Sequence, residues 1–262
     1  MYNPQPIGLF DSGIGGTSIW KEIHHLLPNE NTIYLADSKN APYGEKSKEE
    51  IIALSEKNTE FLLHQNCKLI VVACNTATTN AISHLRSKYK VPFIGIEPAI
   101  KPAALNSHTK TIGVLATKGT ISSELFHQAV LNFPEVQIVE QIGHDLVPLI
   151  ENGEIESTKM KDLLKSYLQP MIHQNIDFLV LGCTHYPYLI PVIQQILPSN
   201  IHVIDSGEAV AKQTKRVLEL NNLLNDSKSK PKPKLKFYSN YPNISVLQKL
   251  VGDQYEVSFL DF

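Results

Sequence analysis

Two apolar runs stand out along the chain, and both end in the same kind of polar step. Leu69-Ile70-Val71-Val72 runs into Ala73-Cys74-Asn75-Thr76, and Phe178-Leu179-Val180-Leu181 runs into Gly182-Cys183-Thr184-His185. Unbroken runs of this kind predict strands covered on both faces, as in a parallel sheet. Around the first run the pattern predicts strands at 7–11 and 32–37 and a helix at 17–27 stopped near Pro28. Ser47 followed by Glu50 is a capping box and opens a helix to about Gln65; another helix follows Cys74 to about Tyr89, then a strand at 92–97. Strand and helix alternate throughout, which predicts an α/β fold with mainly parallel sheets flanked by helices.

The pattern then starts again. The segment 111–116 resembles the opening strand, and Thr117-Lys118-Gly119-Thr120 resembles the Gly-rich loop Ser12-Gly13-Ile14-Gly15-Gly16. Gly8 and Cys74 lie 66 positions apart, and Gly113 and Cys183 lie 70 apart. Equal landmarks at nearly equal spacing predict a duplicated half. A strand at 201–205 and a helix at 209–224 follow, then a polar stretch at 225–234 with four lysines and two prolines, expected to be an exposed linker. The tail at 235–262 reads as strand, helix, strand and is too short to fold alone. It is expected to return to the first half. The predicted division is residues 1–97 plus 209–262 as one domain, carrying Cys74, and 98–208 as an inserted domain carrying Cys183.

Composition narrows the function classes. A net charge of -2 over 262 residues provides no bulk attraction to nucleic acid or anionic membranes. The lysines at 228–236 lack aromatic interleaving and read as solvated linker. No apolar run approaches the roughly 18 residues of a membrane helix, and the first residues have no basic-then-apolar signal pattern. Three cysteines are too few and odd in number for a disulfide framework. A cytoplasmic enzyme with free thiols is the expectation.

Ligands of open parallel sheets bind beyond the carboxyl ends of the strands, where Cys74 and Cys183 both sit. Cys67 precedes its strand without polar company and reads as core. If each of the other two cysteines opens a helix, the helix N-terminus favours its thiolate. Two thiols at such places admit four chemistries. A redox pair lacks the Cys-x-x-Cys spacing, and zinc lacks a full ligand set. Covalent catalysis with His185 as base leaves one cysteine unused. Two-base proton transfer at carbon, one group on each face, uses both. Asp11-Ser12-Gly13-Ile14-Gly15-Gly16 lacks the remaining signature of a nucleotide loop; its amides suit a carboxylate, and Asp11 could take an ammonium or act beside a thiol. Tyr43 and Gly44 lie in a loop; Glu151 follows an apolar segment and could face a cleft, though taken alone it is a solvated helix-end charge. No lysine is identifiable for a pyridoxal Schiff base, so a cofactor-free and metal-free mechanism is the simplest.

Five motifs in order resemble the bacterial glutamate racemases of the cofactor-independent aspartate/glutamate racemase group. They are Asp11 to Gly16, Ala41-Pro42-Tyr43-Gly44, Ala73-Cys74-Asn75-Thr76-Ala77, Gly113 to Thr117, and Gly182-Cys183-Thr184-His185-Tyr186-Pro187. The resemblance implies two α/β domains with the site in the cleft between them, interconversion of L- and D-glutamate, and supply of D-glutamate to peptidoglycan. It implies Cys74 and Cys183 as the two bases, Asp11 assisting the first, and His185 with Glu151 assisting the second. Asp11, Ser12, Tyr43, Gly44, Asn75, Thr76, Thr184 and His185 are the implied substrate-binding residues. Homodimers are frequent in the group. Aspartate racemisation, a non-catalytic acidic amino-acid module and a one-cysteine decarboxylase of the same fold are the competing readings.

Overall fold

The computed structural model describes residues 3–225 and 232–262. The chain opens with β1 (Ile7–Asp11), α1 (Thr17–Leu26), β2 (Thr32–Ala36), α2 (Lys48–His64), β3 (Leu69–Val72), α3 (Asn75–Lys88) and β4 (Phe93–Gly95). It continues through α4 (Ile100–Asn106), β5 (Thr111–Ala116), α5 (Lys118–Ile121), α6 (Glu124–Leu131), β6 (Gln137–Ile142), α7 (Leu146–Glu151) and α8 (Thr158–His173). Then come β7 (Phe178–Gly182), α9 (Ile190–Ile193), β8 (His202–Ile204), α10 (Gly207–Leu220), β9 (Leu235–Ser239), α11 (Ser245–Val251) and β10 (Val257–Phe259). The expected strands before both cysteines form, and so does the helix after Cys74. The capping box of α2 is closed in both directions between Ser47 and Glu50.

The strands make two wholly parallel sheets, ordered β10-β9-β2-β1-β3-β4 and β6-β5-β7-β8. The run β2-β1-β3-β4 matches β6-β5-β7-β8 strand for strand, which is the duplication expected from the spacing. Gly8 and Gly113 occupy equivalent places for one physical reason. A Cβ on Gly8 would lie 2.9 Å from Cys67 Sγ and 3.1 Å from Leu62, and one on Gly113 2.9 Å from Ile176 and 3.3 Å from Met171. Each glycine lets the covering helix lie directly on its sheet.

β9 and β10 extend the first sheet from the edge of β2, where the second sheet ends at β6. β6 carries no apolar run, and its residues are mostly exposed or half-buried, as befits an edge strand. Nothing in its pattern predicted it. Residues 117–120, expected as a Gly-rich loop, instead form the start of the short helix α5. Within the polar stretch at 225–234, residues 226–231 lie outside the described residues. Asn225, expected to be exposed, is buried, and its amide donates to Glu30 Oε1 at 2.7 Å. Buried side chains of both sheets and of α10 belong to one continuous core.

Candidate active site

β3 and β7 deliver their cysteines to one cavity. Of the residues on its wall, Cys74, Asn75 and Thr76 follow β3, and Cys183, Thr184 and His185 follow β7; Ser12, Tyr43 and Gly44 come from loops of the first sheet. The cavity is nearly closed, with about 10 Å³ of free space, about what a single water molecule needs. Pro42, Thr117 and Val147 also line it. Thr117 lay within a matching motif but had no role assigned. Its Oγ1 is 2.8 Å from Thr76 Oγ1 and 3.0 Å from Thr120 Oγ1, a hydroxyl cluster spanning the two halves.

The two thiols have different surroundings. Cys74 caps α3, and its Sγ accepts the Ala77 amide at 3.4 Å and lies 3.7 Å from Ser12 Oγ. The helix terminus does not decide its charge. Burial, then the negative charge of Asp11, push the thiol well above its ordinary range, and the Ala77 and Ser12 contacts offset this only in part. Asp11 is itself raised, chiefly by burial, against the opposing pull of His185 and the Gly16 amide. In the closed, ligand-free site burial therefore works against the charged form of both groups. Cys67 is core, as expected, with burial pushing its thiol up to about 12.

Cys183 does not open an α-helix. Its carbonyl accepts the Tyr186 amide at 3.1 Å and the chain enters a 3-10 turn at Tyr186–Leu189. The helix-terminus argument therefore fails for this thiol. Its partner is an imidazole: Cys183 Sγ is 3.8 Å from His185 Nδ1, and His185 Nε2 is 2.5 Å from Glu151 Oε1. Burial works against a charged His185, but its bonds to Cys183 and Glu151 outweigh that and hold the imidazole well above its usual range. Nδ1 of the ring faces the thiol sulfur and Nε2 faces the carboxylate, and the Gly15 amide also reaches Nε2 at 3.2 Å. Glu151 is no solvated helix end. It is the last residue of α7, and its side chain is only 15% exposed.

The loop after β1 makes this packing possible. Its amides do hold carboxylates, but these are the protein's own: Ile14 N donates to Glu151 Oε1 at 2.7 Å and Gly16 N to Asp11 Oδ2 at 2.8 Å. A Cβ on Gly13 would lie 2.0 Å from Glu151 Oε1, and one on Gly15 2.2 Å from His185 Nδ1. Asp11, expected both behind Cys74 and on the substrate, is fully buried behind the wall, with Gly16 N and Thr184 Oγ1 as its partners. Asn75 is the opposite case. Both its amide atoms are buried without a hydrogen-bond partner, a costly state in a side chain on the cavity wall.

The loop carrying Tyr43 and Gly44 is braced by the tail. The Tyr43 hydroxyl donates to Asp37 Oδ2, and Asn58 Nδ2 donates to that hydroxyl at 3.1 Å. Asn240, just past β9, donates to Asp37 Oδ1 at 2.5 Å and accepts the Lys39 amide at 3.0 Å. The sequence reading assigned the tail no role at the site.

Residues 7–214 match the family model of Asp/Glu/hydantoin racemases. The chain belongs to that family. A glutamate racemase of Herpetosiphon aurantiacus is 46% identical over 226 residues, 86% of this chain and 89% of the relative. The glutamate racemase of Escherichia coli, solved with L-glutamate and the activator UDP-MurNAc-Ala, is 35% identical, with a TM-score of 0.85 over 98% of both chains. That of Francisella tularensis, solved with D-glutamate, is 32% identical, with a TM-score of 0.83 over 98% of this chain and 97% of the other. Among the described residues no three His, Cys, Asp or Glu side chains are grouped to hold a metal ion, and no helix is long and apolar enough to cross a membrane.

Proposed function

We propose that this racemase-family chain is a glutamate racemase, with Cys74 and Cys183 as its two proton-transferring groups. The observation that carries the reading is that each sheet brings one cysteine to the same cavity, each backed by its own acid–base partner. In one direction a thiolate takes the α-proton, breaking C–H and forming S–H, and the opposite thiol gives its proton to the other face. The product is the mirror image, and the reverse reaction exchanges the two roles.

An α-proton beside a carboxylate is very weakly acidic, so charge developing on that carboxylate must be met by fixed donors. Asn75, with two unsatisfied atoms on the wall, is the first candidate, with Ser12 and Thr184 beside it and Tyr43, Gly44 and Thr76 completing the binding set. A substrate ammonium entering the cavity adds positive charge near Asp11 and Cys74, and so favours their ionised forms. His185 contacts Cys183 directly, and Glu151 holds His185. No cofactor enters the scheme.

The first test is incubation with L-glutamate in deuterated water without added cofactor, following optical rotation and α-deuterium together. Inversion with deuterium incorporation is expected. Binding without exchange would point to a non-catalytic module, and turnover of aspartate alone to the sister activity. The proposal extends to a cytoplasmic homodimer that supplies D-glutamate for peptidoglycan. It also takes residues 1–97 with 209–262 and residues 98–208 as domains that part to admit substrate.

The Asn240 brace gives a further expectation. Asn240→Leu removes a donor from buried Asp37 and an acceptor from the Lys39 amide. A loss of about 1–3 kcal/mol in stability is expected, with KM for glutamate raised several-fold as the Tyr43–Gly44 loop loosens. Unchanged KM in a folded variant would separate the tail from substrate binding.

A further inference from the structure

We infer that Ser38 is a positioning residue for proton transfer: its hydroxyl reaches from the loop after β2 to Glu151, and so fixes the carboxylate that holds His185 beside Cys183. The inference rests on the proposed racemase reading for its catalytic meaning, but its geometry stands apart from it. Ser38 Oγ donates to Glu151 Oε2 at 3.1 Å, while Ile14 N donates to Oε1 at 2.7 Å. Both donors follow strands of the six-stranded sheet. Glu151 and His185 belong to α7 and to the loop after β7, on the four-stranded side.

The Glu151–His185 pair is therefore completed across the two halves. When they part, the carboxylate loses both donors together. When they close, each of its oxygens is held by one, and Oε1 keeps its 2.5 Å contact with His185 Nε2. The two donors fix the carboxylate in place, and a carboxylate fixed against Nε2 favours the imidazolium next to Cys183. Closure over substrate thus arms one thiol's partner in the same movement that excludes water. Among the described residues, the only comparable side-chain hydroxyl reaching the buried Asp11–Cys74 arrangement from across the cleft is Thr184 Oγ1, at a longer 3.4 Å. The other titratable groups that face the pair are Cys183, Asp11 and Tyr34, and none of them changes in the variants below.

The test compares Ser38→Ala and Ser38→Thr in the full chain. Ser38 also lines a separate open cavity beside Glu151, so the extra methyl of threonine has room and its hydroxyl can still donate. The first readout needs no turnover: NMR titration of the His185 ring in the ligand-free protein, assigned by the signal that His185→Gln removes. Ser38→Ala is expected to move the His185 midpoint to lower pH, and Ser38→Thr to restore it. The second readout is the pH profile of kcat/KM for glutamate. Ser38→Ala is expected to lower the plateau roughly tenfold, a fraction of what a general acid–base group contributes. Its alkaline limb should shift toward lower pH, the direction of an imidazolium lost earlier. Because the two enantiomers are equal in free energy, the fall must be the same in both directions. An unmoved His185 midpoint in Ser38→Ala, or an equal loss in Ser38→Thr, would overturn the inference. A shifted midpoint in a protein whose wild type does not racemise glutamate would instead overturn the functional reading and leave the positioning role standing.

Discussion

Replacing either Cys74 or Cys183 by alanine is expected to abolish racemisation in both directions, with kcat/KM falling by at least roughly 10³-fold. The reason is symmetry. Each thiol is the base for one enantiomer and the acid for the other, so neither variant retains a complete path. Proton removal alone is a different matter. Cys74→Ala leaves Cys183 with His185 and Glu151 in place, 3.8 Å and 2.5 Å apart in sequence along the chain of contacts. That thiol can still take a proton from the enantiomer presented to it and return deuterium to the same face. Each single variant is thus expected to wash deuterium slowly into one enantiomer without inverting it, and the two variants into opposite enantiomers. Mass spectrometry of both pure enantiomers after incubation in deuterated water checks this. Inversion surviving in either variant would rule out the two-base scheme, and wash-in to the same enantiomer by both would rule out the assignment of one thiol to each face.

Lys68→Met is expected to give the largest loss of stability. Lys68 Nζ lies 2.6 Å from Glu30 Oε2, both side chains are about 1% exposed, and the same ammonium donates to the Leu223 carbonyl at 2.9 Å. Glu30 Oε1 in turn accepts the Asn225 amide at 2.7 Å. The pair ties the entry to β3 to the loop between α1 and β2 and to the chain leaving α10. Removing the lysine leaves a carboxylate buried beside apolar methionine, which typically costs 3–5 kcal/mol. At about 2–4 °C per kcal/mol for a chain of this size, Tm should fall by roughly 6–20 °C. Replacing both partners, as in Glu30→Leu with Lys68→Met, should recover part of the loss, since no charge is then stranded. A single variant within about 1 kcal/mol of the wild type would show that water or another group reaches Glu30.

These two results bear on different parts of what could be read from the amino acids. The strands carrying the cysteines were legible because each is an apolar run four or five residues long that stops abruptly at polar residues. Equal spacing from Gly8 and Gly113 exposed the duplication, since both glycines lie under a helix in the same place. β6 escaped because an edge strand with a half-exposed pattern carries little apolar signal. The helix-terminus argument for thiolates was sound as local physics and wrong in outcome. Cys74 does cap α3, yet burial and Asp11 dominate its charge; Cys183 opens no α-helix and sits beside His185 instead.

What the sequence determined alone was the α/β alternation, the repeat and the two thiols, together with the polar residues immediately following them. These depend on neighbours in the chain, where period and spacing carry the information. The tertiary structure decided which distant groups meet. Glu151 reads as a surface charge until α7 brings it against His185 and against Ile14 from the other half. Ser38 and Asn240 carry no motif, and Lys68 and Glu30 are 38 positions apart and look like ordinary surface residues. A buried polar contact is set by three-dimensional packing, and the low dielectric that gives it weight exists only once the chain has folded.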